Sequence, residues 1–540
     1  MVDASLLEKI KATCQEIAST CHIVSACLYG SRVCGYARPE SDYDVLLVLE
    51  NYFEGLRYHF RKVDAAYVTI LAVDKELFEL DAKKGGLGEF LADRLLFPYV
   101  PILSPDYLIR VEQEIKSRVI GEELRDLVVE YGELSRGLII KPEYLALARM
   151  RKRARVYPPI RYSYVNTLRE DLKQQNLPKI LEGYNLALHD FIESGMVKID
   201  DGNIMLQNNY IDKLLSKKTM EKAVNVVELS RKALYSILSI NVETVARELS
   251  LMLKRELQMA LTVQEPEDPK NHLFLKTDRG LVNLNEKASM VEVASKLRPG
   301  ATITIAPLAG VLNEVCLVTA GEEKLVAKKF TDWHGFKWFT LSLVTLGTKF
   351  FAIAGKTRLA NEYGMNRFLA ESNVPVPSVV HVSLPNLLLF ERYVDGRPVT
   401  DFVRESFGVN SLTPNQKQIA LEVGKTLAKI HGLDVGMGDT KPENFVLSSD
   451  GEVYAVDLEQ AKKRGDRAWD VAEFLFYAGH YGVAMTGGFL QFAQNFVEGY
   501  REVGDSEVLR KAGGLPYARV FSIWTPATVI YGLSEILKTA

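Results

Sequence analysis

The 540-residue sequence has only five cysteines, and four of them, Cys14, Cys21, Cys27 and Cys34, crowd into its first 34 positions. Their spacings do not form paired C-x2-C ligand sets, which argues against a zinc knuckle and leaves small core residues of a reducing compartment as the reading. Net charge is also scarce: Lys+Arg 66 against Asp+Glu 69 leaves -3. That balance excludes a globally basic nucleic-acid binder, so any such surface must be local. A long apolar run is lacking as well. The nearest, FKWFTLSLVTLGTKFFAIAG at 336–355, contains Lys337 and Lys349, and the stretch between them is too short to span a bilayer. The start, MVDASLLEKI, has no basic-then-apolar layout of an export signal, so the expected location is cytoplasmic, with no membrane span. What is present is ordinary for a soluble chain, 47% apolar and 25% charged, and long enough for two to four domains.

Leu6, Leu7, Ile10 and Ile17 recur at helical spacing and predict an opening helix. HIVSACLYG, DYDVLLVL and AAYVTILAV then read as strands, which predicts an α/β domain over 1–110. Helical periodicity dominates 111–264. Within it RMRKRARVYPPIRYSY, residues 149–164, interleaves six basic residues with Tyr157, Tyr162 and Tyr164. Such a stretch can hold phosphates and stack bases, or it can be a surface of paired arginines. MVKIDDGNIML, residues 196–206, predicts a hairpin turning at Asp201-Gly202. Helices followed by a hairpin resemble a winged helix, which serves either as a nucleic-acid reader or as a spacer. EPEDPKNH opens a polar linker over 265–284. Strands return in ATITIAPLAG, NEVCLVTA and EKLVAKKF, and helix dominates from about residue 412.

Two constellations carry chemistry. In the first, LYGSRVCGYARPESDYDVLLVL, Gly30-Ser31 is followed after ten residues by Asp42-Tyr43-Asp44. On a strand, residues two apart share a face, so Asp42 and Asp44 would stand side by side and repel unless a divalent cation bridged them. Gly30 would let backbone approach a triphosphate, and the Ser31 hydroxyl would hydrogen-bond it. This pattern resembles the DNA polymerase β-type nucleotidyltransferases in their minimal form. The resemblance implies NTP binding at Gly30 and Ser31, and Mg2+ or Mn2+ at Asp42 and Asp44, which would also be catalytic. A third carboxylate on a later strand completes the site in that family. Here Thr69 stands at that place in YVTILAVD, with Asp64 and Asp74 flanking the strand as substitutes.

The second constellation lies in GMGDTKPENFVLSSDGEVYAVDLEQA, residues 436–461. Asp439, Asn444 five positions on, and Asp457 after the apolar VYAV supply a carboxylate for an attacking hydroxyl and oxygen ligands for Mg2+. The stretch resembles the protein-kinase-like fold, particularly its RIO-, KEOPS- and aminoglycoside-phosphotransferase-type members. By that resemblance Asp439 is catalytic, Asn444 and Asp457 bind metal, and Asp470 in DRAWDVAEF is a buried structural acid receiving the catalytic loop. His431 matches the histidine that ends the preceding helix. Upstream, LVAKKF would carry the phosphate-binding Lys328, with Lys329 as the alternative, and Glu362 its partner. Backbone near Arg392 and Tyr393 would meet adenine, and Gly310 would mark a reduced glycine loop. Met437 and the Asp-Leu-Glu triplet at 457–459 depart from the family, the latter replacing Asp-Phe-Gly.

These readings predict a multidomain α/β and α+β chain: nucleotidyltransferase-like 1–110, helical with a probable winged helix 111–264, linker 265–284, and a bilobal kinase-like fold over 285–396 and 397–540. The implied function is ATP- and Mg2+-dependent phosphoryl transfer, of serine/threonine kinase type, to a protein, a tRNA-linked target or a small molecule. One alternative is nucleotidyl transfer to RNA, protein or a small hydroxyl compound, with the kinase-like part regulatory. Another is a nucleic-acid-binding ATP sensor, with residues 149–164 and 196–206 as the contact surface.

Overall fold

A computed structural model describes residues 4–157, 160–216, 266–308, 314–332 and 352–540. Gly310 and most of the 336–355 run lie outside the described residues. The chain divides into two compact units, residues 1–130 with 139–273, and residues 131–138 with 274–540. No helix among the described residues is long and apolar enough to cross a membrane.

The first unit opens with α1 (Ala4–Ala18), whose 3.6-residue periodicity buries Ile10, Cys14 and Ala18. Next come β1 (His22–Tyr29), the short α2 (Ser31–Cys34), β2 (Tyr43–Glu50), β3 (Leu56–Val63), β4 (Ala66–Asp74), α3 (Lys75–Lys84) and β5 (Val100–Leu103). The strands make one mixed sheet in the order β3-β4-β2-β1-β5. Only β2 and β4 run parallel, with β3 as the crossover on the outer edge. Val45, Leu47 and Leu49 of β2 and Ile70 and Ala72 of β4 join α1 in the core. The cysteines behave as small core residues: Cys14, Cys27 and Cys34 are buried, all five are free, and burial pushes the Cys34 thiol up to about 11.

Three long helices follow, α4 (Pro105–Tyr131), then after β6 (Leu138–Ile140) α5 (Glu143–Val156), and, past the short α6 (Arg161–Thr167), α7 (Glu170–Glu193). The expected hairpin is present as β7 (Val197–Asp200) and β8 (Asn203–Leu206), turning through left-handed Asp201 and Gly202. Its tip therefore presents Asp200 and Asp201, acids where a phosphate-reading wing needs cations. Four of the six cations in the 149–164 stretch are already paired with acids, which weighs against a nucleic-acid surface there. Arg149 pairs with Glu89 and Glu122, Arg151 with Asp268, Lys152 with Glu123 and Asp126, and Arg153 with Glu89 and Asp93. Tyr164 is buried and donates no face to solvent; it stacks on Phe97.

In the second unit, residues read as linker form a hairpin of β9 (Leu273–Thr277) and β10 (Gly280–Asn283). After α8 (Met290–Leu297), an antiparallel sheet is built from β11 (Ile303–Pro307), β12 (Glu314–Ala320), β13 (Glu323–Lys329), and, beyond α9 (Gly355–Glu371), β14 (Val379–Ser383) and β15 (Leu388–Arg392). Its order is β11-β12-β13-β15-β14. The rest is mainly helical: β16 (Gly396–Pro398), α10 (Val399–Phe407), α11 (Pro414–Gly432), β17 (Val435–Gly436), β18 (Phe445–Ser448), β19 (Val453–Ala455), β20 (Lys462–Lys463), α12 (Arg467–Ala478) and α13 (Gly487–Val503), with further helices to the end. A Thr413–Gln416 capping box and Pro414 start α11 sharply. Phe474 stacks on Phe496 at 4.6 Å and meets Phe445 edge-on, which seats α12 at the centre of the core.

Candidate nucleotide sites

In the first unit the chain leaves β1 at left-handed Gly30, enters α2 at Ser31, and returns through residues 36–41 to β2. Arg32 pins that return: its guanidinium donates to the carbonyls of Pro39 (3.2 Å) and Ser41 (3.1 Å from Nε) and lies 4.7 Å from the Tyr43 ring. A Cβ on Gly30 would fall 2.3 Å from Asp44 Oδ2, so only glycine lets this backbone lie against that carboxylate. Asp42 and Asp44 are both half-buried beside it.

The place of the missing third acid is explicit. Thr69 pairs with Asp44 in the parallel β2–β4 register, and its buried hydroxyl donates to Asp42 Oδ2. A neutral hydroxyl thus stands at the strand position where a third carboxylate is expected. Neither substitute reaches it. Asp64 sits at a left-handed turn, exposed, 2.5 Å from Lys9. Asp74 caps α3, accepting from Glu76 N, and also accepts from Tyr52 N at 2.9 Å.

In the second unit, alternation along β13 sends Lys328 inward and Lys329 outward to Glu314. Lys328 Nζ lies 2.5 Å from Glu362 Oε1 on α9 and 3.2 Å from Glu391 Oε2 on β15, with all three side chains buried. Glu362 Oε2 is buried with no hydrogen-bond partner among the described residues. Burial alone would lower the Lys328 pKa, but Glu362, Glu391 and Asp457 outweigh it and hold the ammonium charged, well above the ordinary range. Asp457 follows β19 at φ 64. Burial pushes its carboxyl up to about 7; Lys328 opposes the rise, while Glu459, Asp439 and Glu391 add to it.

Asp439 is placed by the loop between β17 and β18. Asp470, on α12, accepts from Met437 N (2.7 Å), Gly438 N (2.8 Å) and His431 Nε2 (3.1 Å), and its own carbonyl accepts from Thr440 Oγ1 (2.7 Å). Gly438 is left-handed, and a Cβ there would meet the Gln460 carbonyl at 2.8 Å. His431 is completed by Tyr500, Nδ1 to hydroxyl 2.7 Å. Asn444 Nδ2 donates to the Asp439 carbonyl at 2.9 Å, and Asn444 O accepts from Val456 N, which ties Asn444 to the strand end before Asp457.

Four residues escaped the sequence reading. Lys441 lies 3.0 Å from Asp439, and its spacing in DTKPEN was the available signal. Glu391 needed the sheet register to reach Lys328. Arg358 and Glu459 form a buried ion pair that only the fold brings together. At the segment expected near adenine, Arg392 N donates to Ser378 O and Tyr393 N to Lys324 O, and the Arg392 side chain pairs with Asp278. The first N–H after β15 without a partner among the described residues is that of Val394.

The donor set of the second unit suits a divalent cation. Three carboxylates surround one ammonium, and burial raises the pKa of Glu362 and of Asp457, so the cluster holds protons that a bound cation would displace; oxygen donors of this kind fit Mg2+ or Mn2+.

Residues 7–97 match the family model described as a nucleotidyltransferase domain. The match makes the N-terminal stretch similar to NTP-using transferases. Over 84 residues, 16% of the chain, the sequence is 33% identical to cAMP-dependent protein kinase catalytic subunit 3 of Drosophila melanogaster, covering 14% of that protein. Over 155 residues, 28% of the chain, it is 24% identical to a probable bifunctional tRNA threonylcarbamoyladenosine biosynthesis protein of Methanocaldococcus jannaschii, covering 26% of that protein. The chain therefore spans well under half of either relative.

Proposed function

We propose that the chain is an ATP- and divalent-cation-dependent phosphotransferase whose chemistry resides in the second unit, of the atypical kinase type. The observation that carries this reading is the buried Lys328–Glu362 pair with Asp457 in the same electrostatic cluster. These groups come from three elements far apart in sequence, and burying charges this way costs free energy, which favours a functional site over chance. Local similarity to the Drosophila kinase points the same way.

In this reading Lys328 holds the α- and β-phosphates, and the Val394 N–H meets the base. Asn444 and Asp457 would hold Mg2+ or Mn2+, which neutralises phosphate charge when bound. Asp439 accepts the proton of the acceptor hydroxyl as its oxygen bonds to the γ-phosphorus and the bond to the ADP oxygen breaks. Lys441, beside Asp439, faces the charge on the phosphoryl in transit. The acceptor belongs to the class of hydroxyl compounds: a protein side chain, a tRNA-linked target or a small molecule.

The N-terminal domain has a distinct role in this proposal. Gly30, Ser31, Asp42 and Asp44 bind an NTP with its cation, while Thr69 denies the site its third carboxylate and with it efficient nucleotidyl transfer. The test is transfer from γ-labelled ATP. Lys328→Ala and Asp457→Ala abolish it; unchanged transfer in either variant refutes the assignment.

A further inference from the structure

Four parts of the second site must hold together: the Lys328 strand, the Glu362 helix, the Asp457 segment and the Asp439 loop. One buried guanidinium touches three of them. Arg358 lies on α9 one turn before Glu362, on the same face. Its Nη1 donates to both oxygens of Glu459, at 3.3 and 3.2 Å, two residues past Asp457. Its Nη2 donates to the carbonyl of Thr331, just beyond the Lys328 strand. Arg358 has no exposed side-chain surface and Glu459 is 7% exposed.

The segment after Asp457 reinforces this grip. Asn361 Nδ2 donates to the Glu459 carbonyl at 3.0 Å. Gln460 pairs with Ala352, just before α9, in both directions: Ala352 N to Oε1 at 2.8 Å and Nε2 to Ala352 O at 3.2 Å. The backbone of Gln460 also lies against Gly438, in the loop that presents Asp439. Only nine residues, 458–466, separate Asp457 from α12, and two of them, Lys462 and Lys463, are committed to pairing with β17. The chain here has no length for a long switch loop.

We propose that the Arg358–Glu459 pair is a built-in latch: Glu459 is a positioning residue that holds α9, and so the Lys328–Glu362 pair, in place without a modified loop or a partner. The inference rests on the phosphotransferase reading for its effect on rate, but its structural content does not. A buried pair of this kind fixes geometry, and removing one partner leaves the other charge stranded and releases the element.

The experiment combines hydrogen exchange of α9 in the nucleotide-free full chain with γ-phosphate transfer. Wild type shows α9 as protected without ATP as with a saturating ATP analogue and Mg2+. Glu459→Ala loosens α9 selectively by about tenfold or more in exchange rate, restored by the analogue with Mg2+. Its kcat falls by about thirtyfold or more while KM for ATP moves by less than about threefold. Glu459→Gln preserves shape, lies between the two, and decides the matter if the alanine variant does not fold. Wild-type protection and transfer in Glu459→Gln and Glu459→Ala overturn the latch, and so does loosening spread evenly over the second unit. If wild type transfers no phosphate while α9 still loosens selectively, the latch stands and the phosphotransferase reading falls.

Discussion

The two candidate sites use acids in opposite ways. In the first unit Asp42 and Asp44 are half-buried, and Asp42 is satisfied by a neutral hydroxyl from Thr69. In the second, Glu362, Glu391 and Asp457 surround one buried ammonium, and burial lifts Asp457 to about 7. The first arrangement sets a hydroxyl against one of two neighbouring carboxylates. The second holds protons on buried carboxylates that a divalent cation would displace. The contrast teaches that a D-x-D motif alone reports binding capacity, whereas electrostatic tension reports where chemistry is prepared.

After the loss of transfer expected for Lys328→Ala and Asp457→Ala, the largest effect concerns Lys441. Its replacement by alanine lowers kcat for γ-phosphate transfer about 100-fold with little change in ATP affinity, because its charge is needed as the phosphoryl moves. Steady-state kinetics with ATP titration check this, and an equal loss in KM would place Lys441 in ground-state binding. At the other site, Asp42→Ala removes NTP binding from the first unit and leaves the rate of γ-transfer within about threefold.

Next is pH. Asp457 has a raised folded-state pKa, so its contribution to stability is fully present below its unfolded value and is lost as pH rises towards about 7. In metal-free buffer Asp457→Asn is therefore more stable than wild type at pH 8, by roughly 1–3 kcal/mol, and the difference shrinks at pH 5. Denaturant titrations at both pH values measure it. Mn2+ affinity of the second site tightens as pH rises through about 7, since the cation binds the ionised carboxylate.

Asp470→Ala strands Met437 N, Gly438 N and His431, which costs about 2–4 kcal/mol in thermal or denaturant unfolding. The smallest effect sharpens the first site. Thr69→Asp supplies the missing carboxylate and raises Mn2+ affinity there about tenfold, read by calorimetry, while Thr69→Val changes it by less than about threefold.

Much of this was legible in the sequence. The strand runs, the Asp201-Gly202 turn and the burial of Cys14, Cys27 and Cys34 follow from periodicity, turn chemistry and size, all local properties. Asp470 as acceptor of the loop before Asp439 comes from the family resemblance of DRAWDVAEF. What failed was pairing over distance. Whether the arginines at 149–153 are free or paired stays open in the sequence because Glu89, Asp93 and Glu122, which pair with them, lie elsewhere in the chain. The N–H groups of Arg392 and Tyr393 donate to Ser378 and Lys324, partners invisible without the sheet register. The Arg358–Glu459 pair is separated by about a hundred residues, and no local pattern announces it.

The central claim is that phosphoryl transfer belongs to the second unit and that the first binds nucleotide without efficient transfer. The most direct measurement follows label from α- and γ-labelled ATP to the chain itself, to water and to hydroxyl acceptors, in wild type, Asp42→Ala and Asp457→Ala. The account predicts transfer of the γ-label alone, lost in Asp457→Ala and retained in Asp42→Ala. Transfer of the α-label that disappears in Asp42→Ala, or γ-transfer that survives in Asp457→Ala, would contradict it.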